Sequence, residues 1–297
     1  MRVFWFGIND EAGCVLHWHR MRERLRDEHG VELHGPGYSC NGGPINLSAV
    51  LKEHGTPDWI VVDDCNALGY VPLRWDVVPD CKVAWREHDF WNRHRRSYGE
   101  RINPDLILSC YASSPFRSSY KFRHVPHAVD TSVFHAGNGQ DRPYRIGFYG
   151  KHGGMYRHRT EARRVIRQIE GAWVGTHGGY WKNGRPHNDG VHTFYNGTLA
   201  DALRKVRVLW VDSPDRFNAG VLKYFEGGAC GCILIGEKPS GSEFPADNVV
   251  VCEPEEIPDM LDHLHPQLGA LAANEVKQKH SVEVRAGEIV DLLGMKP

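Results

Sequence analysis

Short apolar runs alternate with amphipathic stretches along the whole chain, and their order predicts an α/β fold. Residues 2–7 (RVFWFG) form an apolar run closed by Gly, followed by a polar loop over 8–14 and a helical pattern over about 15–29. That succession reads as strand, turn and helix, the opening unit of a doubly wound sheet. Strands are expected again at 31–34, 58–64 (DWIVVDD), 82–85, 105–110 (DLILSC) and 122–125, with helices near 47–54 and 113–120.

The pattern then pauses and restarts. After PHAVDTSVF (126–134), the segment 136–143 turns rich in Gly, Asn, Asp and Pro, the composition of a connection between domains. Beyond it come a strand at 144–149 (YRIGFY), a Gly-rich turn at 150–156 (GKHGGMY) and a basic helix over 157–169. A short strand at 172–175, a long polar loop at 176–190, a helix at 198–205 and a buried strand at 206–211 follow. A helix over about 219–229, strands at 232–235 and 249–252, and helices over 255–264, 267–279 and 282–293 close the chain. Two Rossmann-like domains are expected, 1–138 and 139–279, with 280–297 as a C-terminal helix.

Doubly wound folds hold ligands at the C-terminal ends of their strands. In the first domain this rim carries Asn9, Asp10 and Gly13 after the first strand, and His88 after the strand at 82–85, with Asp89 and Trp91 just beyond. Ordinary turn chemistry accounts equally well for the loop residues, and a structural or surface role for His88. In the second domain, Gly-rich backbone at Gly150 leads into a helix N-terminus with Lys151, Arg157 and Arg159 close by. That arrangement suits a diphosphate although it matches neither Walker A nor G-x-G-x-x-G.

The stretch 216–236 (RFNAGVLKYFEGGACGCILIG) combines a loop, a helix, a small-residue turn and a buried strand. A helix N-terminus at Asn218, Ala219 and Gly220 can face a phosphate while Glu226, further along the same helix, reaches a sugar hydroxyl. Together these are the chemistry of holding a nucleotide.

Composition narrows the classes. The chain has 297 residues, 41% of them hydrophobic and 25% charged, and no apolar run approaches the roughly 20 residues needed to cross a bilayer. Asp10 and Glu11 follow the opening apolar run too closely for a secretory signal, so a cytoplasmic protein is expected. Eight cysteines are scattered without a C-x-x-C pair, which points to reduced thiols and not to zinc. The paired acids Asp63 and Asp64 at a strand end suggest a divalent metal, but capping explains them as well, and no metal is expected. The net charge of −1 is unevenly spread: residues 81–125 hold nine Lys/Arg against four acids, and 237–262 hold eight acids against one Lys. The basic stretch suits either a polyanion or, more simply, a solvated helix face.

Four segments in order, PHAVDTSVF, IGFYGKHGGMYRHR, VHTFYNGTLADAL and KYFEGGACGCILIG, resemble the GT-B glycosyltransferases that use nucleotide-activated sugars, especially their CgeB-like branch and its larger retaining relatives. The resemblance covers nearly the whole chain, the first 80 residues in pattern only. It implies parallel sheets facing across a cleft, a C-terminal helix (His280-Ser281-x3-Arg285) crossing back to the first domain, and sugar transfer to an acceptor hydroxyl. Retention of anomeric configuration is implied too, with no metal or other cofactor. Glu226 matches the second Glu of the family's E-x7-E motif, which holds the nucleotide ribose. The first Glu falls on Asn218, an amide that cannot carry charge. Lys151, Arg157 and Arg159 would supply the cations for the diphosphate, and His88 matches a His set against the donor sugar.

An inverting enzyme would instead need a general base, a role open to Asp10, His17, His19 or His88. The Arg and aromatic residues of 81–125 would suit hydroxymethylated DNA as acceptor, and a glycan is the other candidate. Asn218 also leaves room for a non-catalytic sugar-nucleotide or carbohydrate-binding protein. A dehydrogenase is disfavoured because no G-x-G-x-x-G follows the first strand of either half.

Overall fold

The computed structural model describes residues 1–9, 16–39, 44–63, 73–88, 93–137, 141–150, 156–177, 181–182, 185–186, 193–194, 196–214, 220–239 and 248–295. They form two compact units, one holding the residues up to Pro126 together with those from Glu283 onward, the other running from His127 to Val282.

The first unit contains β1 (Val3–Phe6), α1 (Leu16–His29), β2 (Glu32–His34), β3 (Ile45–Asn46), α2 (Leu47–His54) and β4 (Trp59–Asp63). It continues with β5 (Leu73–Arg74), β6 (Lys82–Glu87), α3 (Arg93–Ile102), β7 (Leu106–Ser109) and β8 (Phe122–His124). Its main sheet has the order β2-β1-β4-β6-β7-β8, parallel throughout. Every residue of β1, β4 and β7 is buried, as continuous apolar strands must be when helices cover both faces. The helix expected near 113–120 is a single 3-10 turn, Pro115–Ser118, capped by Ser114, whereas α3 replaces what read only as a charged stretch.

The second unit contains β9 (Tyr144–Phe148), α4 (Arg157–Ile166), β10 (Ala172–Val174), β11 (Thr176–His177), β12 (Trp181–Lys182), β13 (Arg185–Pro186) and β14 (Thr193–Phe194). It goes on with α5 (Asn196–Arg204), β15 (Val206–Val211), α6 (Leu222–Ala229), β16 (Ile233–Gly236), β17 (Val249–Val251), α7 (Ile257–Met260) and α8 (Gln267–Lys279). The chain ends in α9 (Val282–Leu293). The sheet order is β10-β9-β15-β16-β17, again parallel. Part of the expected polar loop over 176–190 is thus strand, in the small pairs β11-β14 and β12-β13.

Val129 and Phe134 belong to the second unit's core, and Val129 is bonded through its backbone to His280 and Val282. The polar change at 136–143 therefore falls inside this unit, while the chain passes from one unit to the other at Pro126.

Small residues set how closely α6 approaches the sheet. A Cβ on Gly227 would lie 2.3 Å from Leu209 Cδ2 of β15, closer than atoms can pack. Helix α6 starts at Leu222, with Val221 extended at φ −72 and ψ 162, three residues later than the helix pattern suggested.

Candidate functional site

In both sheets the strand order reverses beside the first strand of the unit, between β1 and β4 and between β9 and β15. Such a reversal opens a crevice at the C-terminal strand ends. In the second unit, Tyr149 and Gly150 follow β9, and Asp212 and Ser213 follow β15. Helix α6 brings Lys223 and Glu226 to the same crevice, one turn apart on one helix face.

Charge is concentrated here. Asp212 is fully buried and accepts from Arg159 of α4 at 2.7 Å, from Lys223 Nζ at 3.2 Å and from Trp210 Nε1 at 3.2 Å. Two cations thus share this one buried carboxylate. Burial pushes the Asp212 carboxyl up, but Lys223 and Arg159 more than reverse this and hold it below the usual range. Burial, with Arg159 beside it, brings Lys223 down to about 8. The ammonium lies 5.3 Å from the Phe148 ring centre and 5.5 Å from that of Tyr149, and Arg159 stacks 3.7 Å over Tyr156. These ring faces compensate part of the desolvation.

Gly150 lies against both cations. A Cβ on it would come within 3.3 Å of Arg159 Nη1 and 3.5 Å of Lys223 Nζ, and its φ of +119 is a conformation that side chains other than glycine's rarely adopt. Backbone can therefore approach the charged pair only because no side chain intervenes.

Glu226 is 8% exposed and accepts a hydrogen bond from the Tyr149 hydroxyl at 2.5 Å. Burial lifts its carboxyl to about 7, against the pull of Tyr149 and Lys223. Next to it, Phe225 packs edge-on against His280 at 5.0 Å and His127 at 5.9 Å. The PHAVDTSVF segment and the residue pair 280–281 thereby support the helix that carries Glu226. At the margin, Glu237 accepts from the Ser213 backbone at 2.8 Å and pairs with His158 Nδ1 at 2.8 Å.

Of the second-domain residues singled out in the sequence, Gly150, Arg159, Gly220 and Glu226 are described, and all four are buried. Lys151, Asn218 and Ala219 lie outside the described residues, and Arg157 is described only as the first residue of α4. Asp212, Lys223 and Tyr149 were not singled out. The available signals were an acid closing an apolar strand and the Lys223-x-x-Glu226 spacing.

In the first unit, His88 follows β6, is half-buried, and meets the Trp18 ring edge-on at 3.9 Å. Asn9 follows β1 and donates to the Gly37 carbonyl at 3.2 Å. Asp63, at the end of β4, pairs with Arg22 at 2.6 Å. His17 is buried and held neutral, first by burial and then by His88, Arg86 and Arg22. Asp10, Gly13, Asp64, Asp89 and Trp91 lie outside the described residues. Among the described residues, no helix is long and apolar enough to cross a membrane.

No protein-family model and no curated protein matches the sequence. Solved structures do match by shape. A sucrose-phosphate synthase from Thermosynechococcus elongatus aligns with a TM-score of 0.67 at 14% identity, over 98% of this chain and 98% of that one. A DNA-modifying β-glucosyltransferase aligns at 0.59 with 9% identity, covering 99% and 100%. An α-glucosyltransferase solved with UDP and a 13-mer DNA aligns at 0.59 with 12% identity, covering 99% of each chain. At such identities the likeness is one of fold, and the fold of this chain is that of the GT-B glycosyltransferases.

Proposed function

We propose that the chain is a glycosyltransferase that holds a nucleoside diphosphate sugar on its second unit and passes the sugar to an acceptor hydroxyl. One observation carries this reading: Glu226 and the Asp212-bound pair Arg159 and Lys223 meet at the crevice of the second sheet, against Gly150. A carboxylate suits ribose hydroxyls, and a buried pair of cations suits a diphosphate. As the bond between sugar and phosphate breaks, negative charge grows on the leaving diphosphate. Arg159 and Lys223, buried and preorganised, would stabilise that charge more effectively than solvent-exposed cations do.

Transfer is proposed to need no metal and to retain configuration, within the CgeB-like branch; the four sequence segments support this. A role for His88 at the donor sugar rests on the resemblance and on strand-end position, while catalytic candidacy for Asp10, as a general base, and acceptor-side roles for Asn9, Gly13, Asp89 and Trp91 rest on their place beyond the strand ends. The acceptor is proposed to be a glycan or hydroxymethylated DNA. In support of DNA, Arg96, Arg101, Arg117, Lys121 and Arg123 are all exposed on the first unit.

Thermal-shift measurements with UDP-, GDP-, ADP- and dTDP-sugars test the donor, because a ligand of the folded state raises apparent stability. Nucleotide release in the presence of glycans or modified DNA tests transfer. Binding without release under any acceptor condition would instead favour a non-catalytic sugar-nucleotide-binding protein.

A further inference from the structure

Two consecutive residues of α4 reach two neighbouring strand ends of the second sheet. Arg159 binds Asp212, just beyond β15, at 2.7 Å, and His158 Nδ1 stands 2.8 Å from Oε1 of Glu237, just beyond β16. Val211 lies opposite Gly236 in the parallel register of these strands, so Asp212 and Glu237 leave the sheet side by side.

Glu237 is firmly placed. Its Oε2 accepts from the Ser213 backbone at 2.8 Å, its N–H donates to the Val211 carbonyl at 3.0 Å, and its own carbonyl accepts from the Tyr224 hydroxyl of α6 at 2.7 Å. An ion pair between two mobile surface side chains orients little, whereas a ring beside a carboxylate held by these three bonds has a fixed neighbour. The Glu237 side chain is 23% exposed and that of His158 42%, so the ring is the member with surface to offer a ligand. Along the rim the order is that of the sheet. Tyr149, bonded to Glu226, follows β9; Asp212, with Arg159 and Lys223, follows β15; Glu237, with His158, follows β16.

We infer that His158, oriented by Glu237, is a further contact for the diphosphate and meets its terminal phosphate. The inference rests on the donor reading of the second unit: with the ribose on Glu226, the strand end beyond the Arg159 and Lys223 pair is where the phosphate farther from the ribose falls. With Glu237 at Nδ1 and a phosphate oxygen at Nε2, the protonated ring stands between two anionic oxygens, each of which favours the proton. Glu237 meets the ring and not the phosphate, and is a positioning residue.

The test is calorimetric titration of the full-length protein with UDP, GDP, ADP and dTDP, each beside its monophosphate. The unaltered protein is expected to prefer the diphosphate. His158→Ala is expected to weaken the best-bound diphosphate about tenfold and its monophosphate by about threefold at most. Should His158→Ala fail to fold, His158→Phe keeps a ring, loses both nitrogens, and is expected to do the same. Glu237→Gln keeps an oxygen for the Ser213 N–H; it is expected to weaken the diphosphate about threefold alone and to add almost nothing to His158→Ala, as residues acting through one contact do. Equal loss of diphosphate and monophosphate, no loss of either, or an unaltered protein without a preference for the diphosphate overturns the contact. Full additivity of the two substitutions overturns the positioning role of Glu237. If none of the four diphosphates binds the unaltered protein, the donor reading itself falls and this inference with it.

Discussion

The Tyr149 hydroxyl donates to Oε2 of Glu226 at 2.5 Å, and both groups are buried. The bond fixes one carboxylate oxygen and favours the ionised form, offsetting part of the burial that lifts this carboxyl to about 7. Tyr149→Phe removes a hydrogen bond to a charged group, worth about 1.5–3 kcal/mol. Calorimetric titration with UDP should show about tenfold or greater loss of affinity at pH 7. Much of that loss should return at pH 9, where Glu226 is ionised in either protein. An affinity unchanged at pH 7 would separate Tyr149 from nucleotide binding.

Nucleotide affinity should be bell-shaped in pH. A ribose that donates to Glu226 prefers the carboxylate, so below about 7 binding must also remove a proton, and affinity falls as pH drops. A diphosphate prefers the Lys223 ammonium, so above about 8 binding must supply a proton, and affinity falls as pH rises. The maximum lies between these values. Glu226→Gln should flatten the acid limb and Lys223→Met the alkaline limb, each at lower peak affinity. A profile flat from pH 5 to 9 in the unaltered protein would show that neither group meets the nucleotide.

The strands were legible because the central ones are buried at nearly every position and so read as mostly apolar runs, as WIVV before Asp63 and VLWV after Arg207 do. Glu226 was legible because it sits in a recognisable motif. Asp212 and Lys223 were not, because their meaning comes from partners far apart in the chain: Arg159 stands 53 residues from Asp212. In isolation Asp212 reads as a strand-end acid and Lys223 as a surface lysine. The start of α6 was misplaced because residues 219–221 have ordinary helix-compatible side chains apart from Gly220, while Val221 is held extended.

Removing the charge of Asp212 should expose how strained the cation pair is without it. Asp212→Asn keeps the shape and leaves Arg159 and Lys223 buried with only an amide between them. Breaking a buried ion pair from one side costs about 3–5 kcal/mol. Chemical denaturation should show a loss of that order at low ionic strength. Adding UDP should recover more stability in the variant than in the unaltered protein, because the diphosphate then supplies the missing negative charge. Equal recovery in both would place the diphosphate away from these two cations.

Gly150→Ala tests whether the bare backbone over the cation pair matters for binding and not only for folding. At φ +119 a side chain is strained by about 1–3 kcal/mol, so the variant should lose stability of that order in the absence of nucleotide. Its Cβ would also stand 3.3 Å from Arg159 Nη1 and 3.5 Å from Lys223 Nζ, in the space above both charges. If a diphosphate approaches there, affinity for UDP should fall well beyond what partial unfolding explains, measured at a temperature where the variant remains folded. A folded Gly150→Ala protein that binds UDP as tightly as the unaltered chain would mean that the phosphates reach Arg159 and Lys223 from another side.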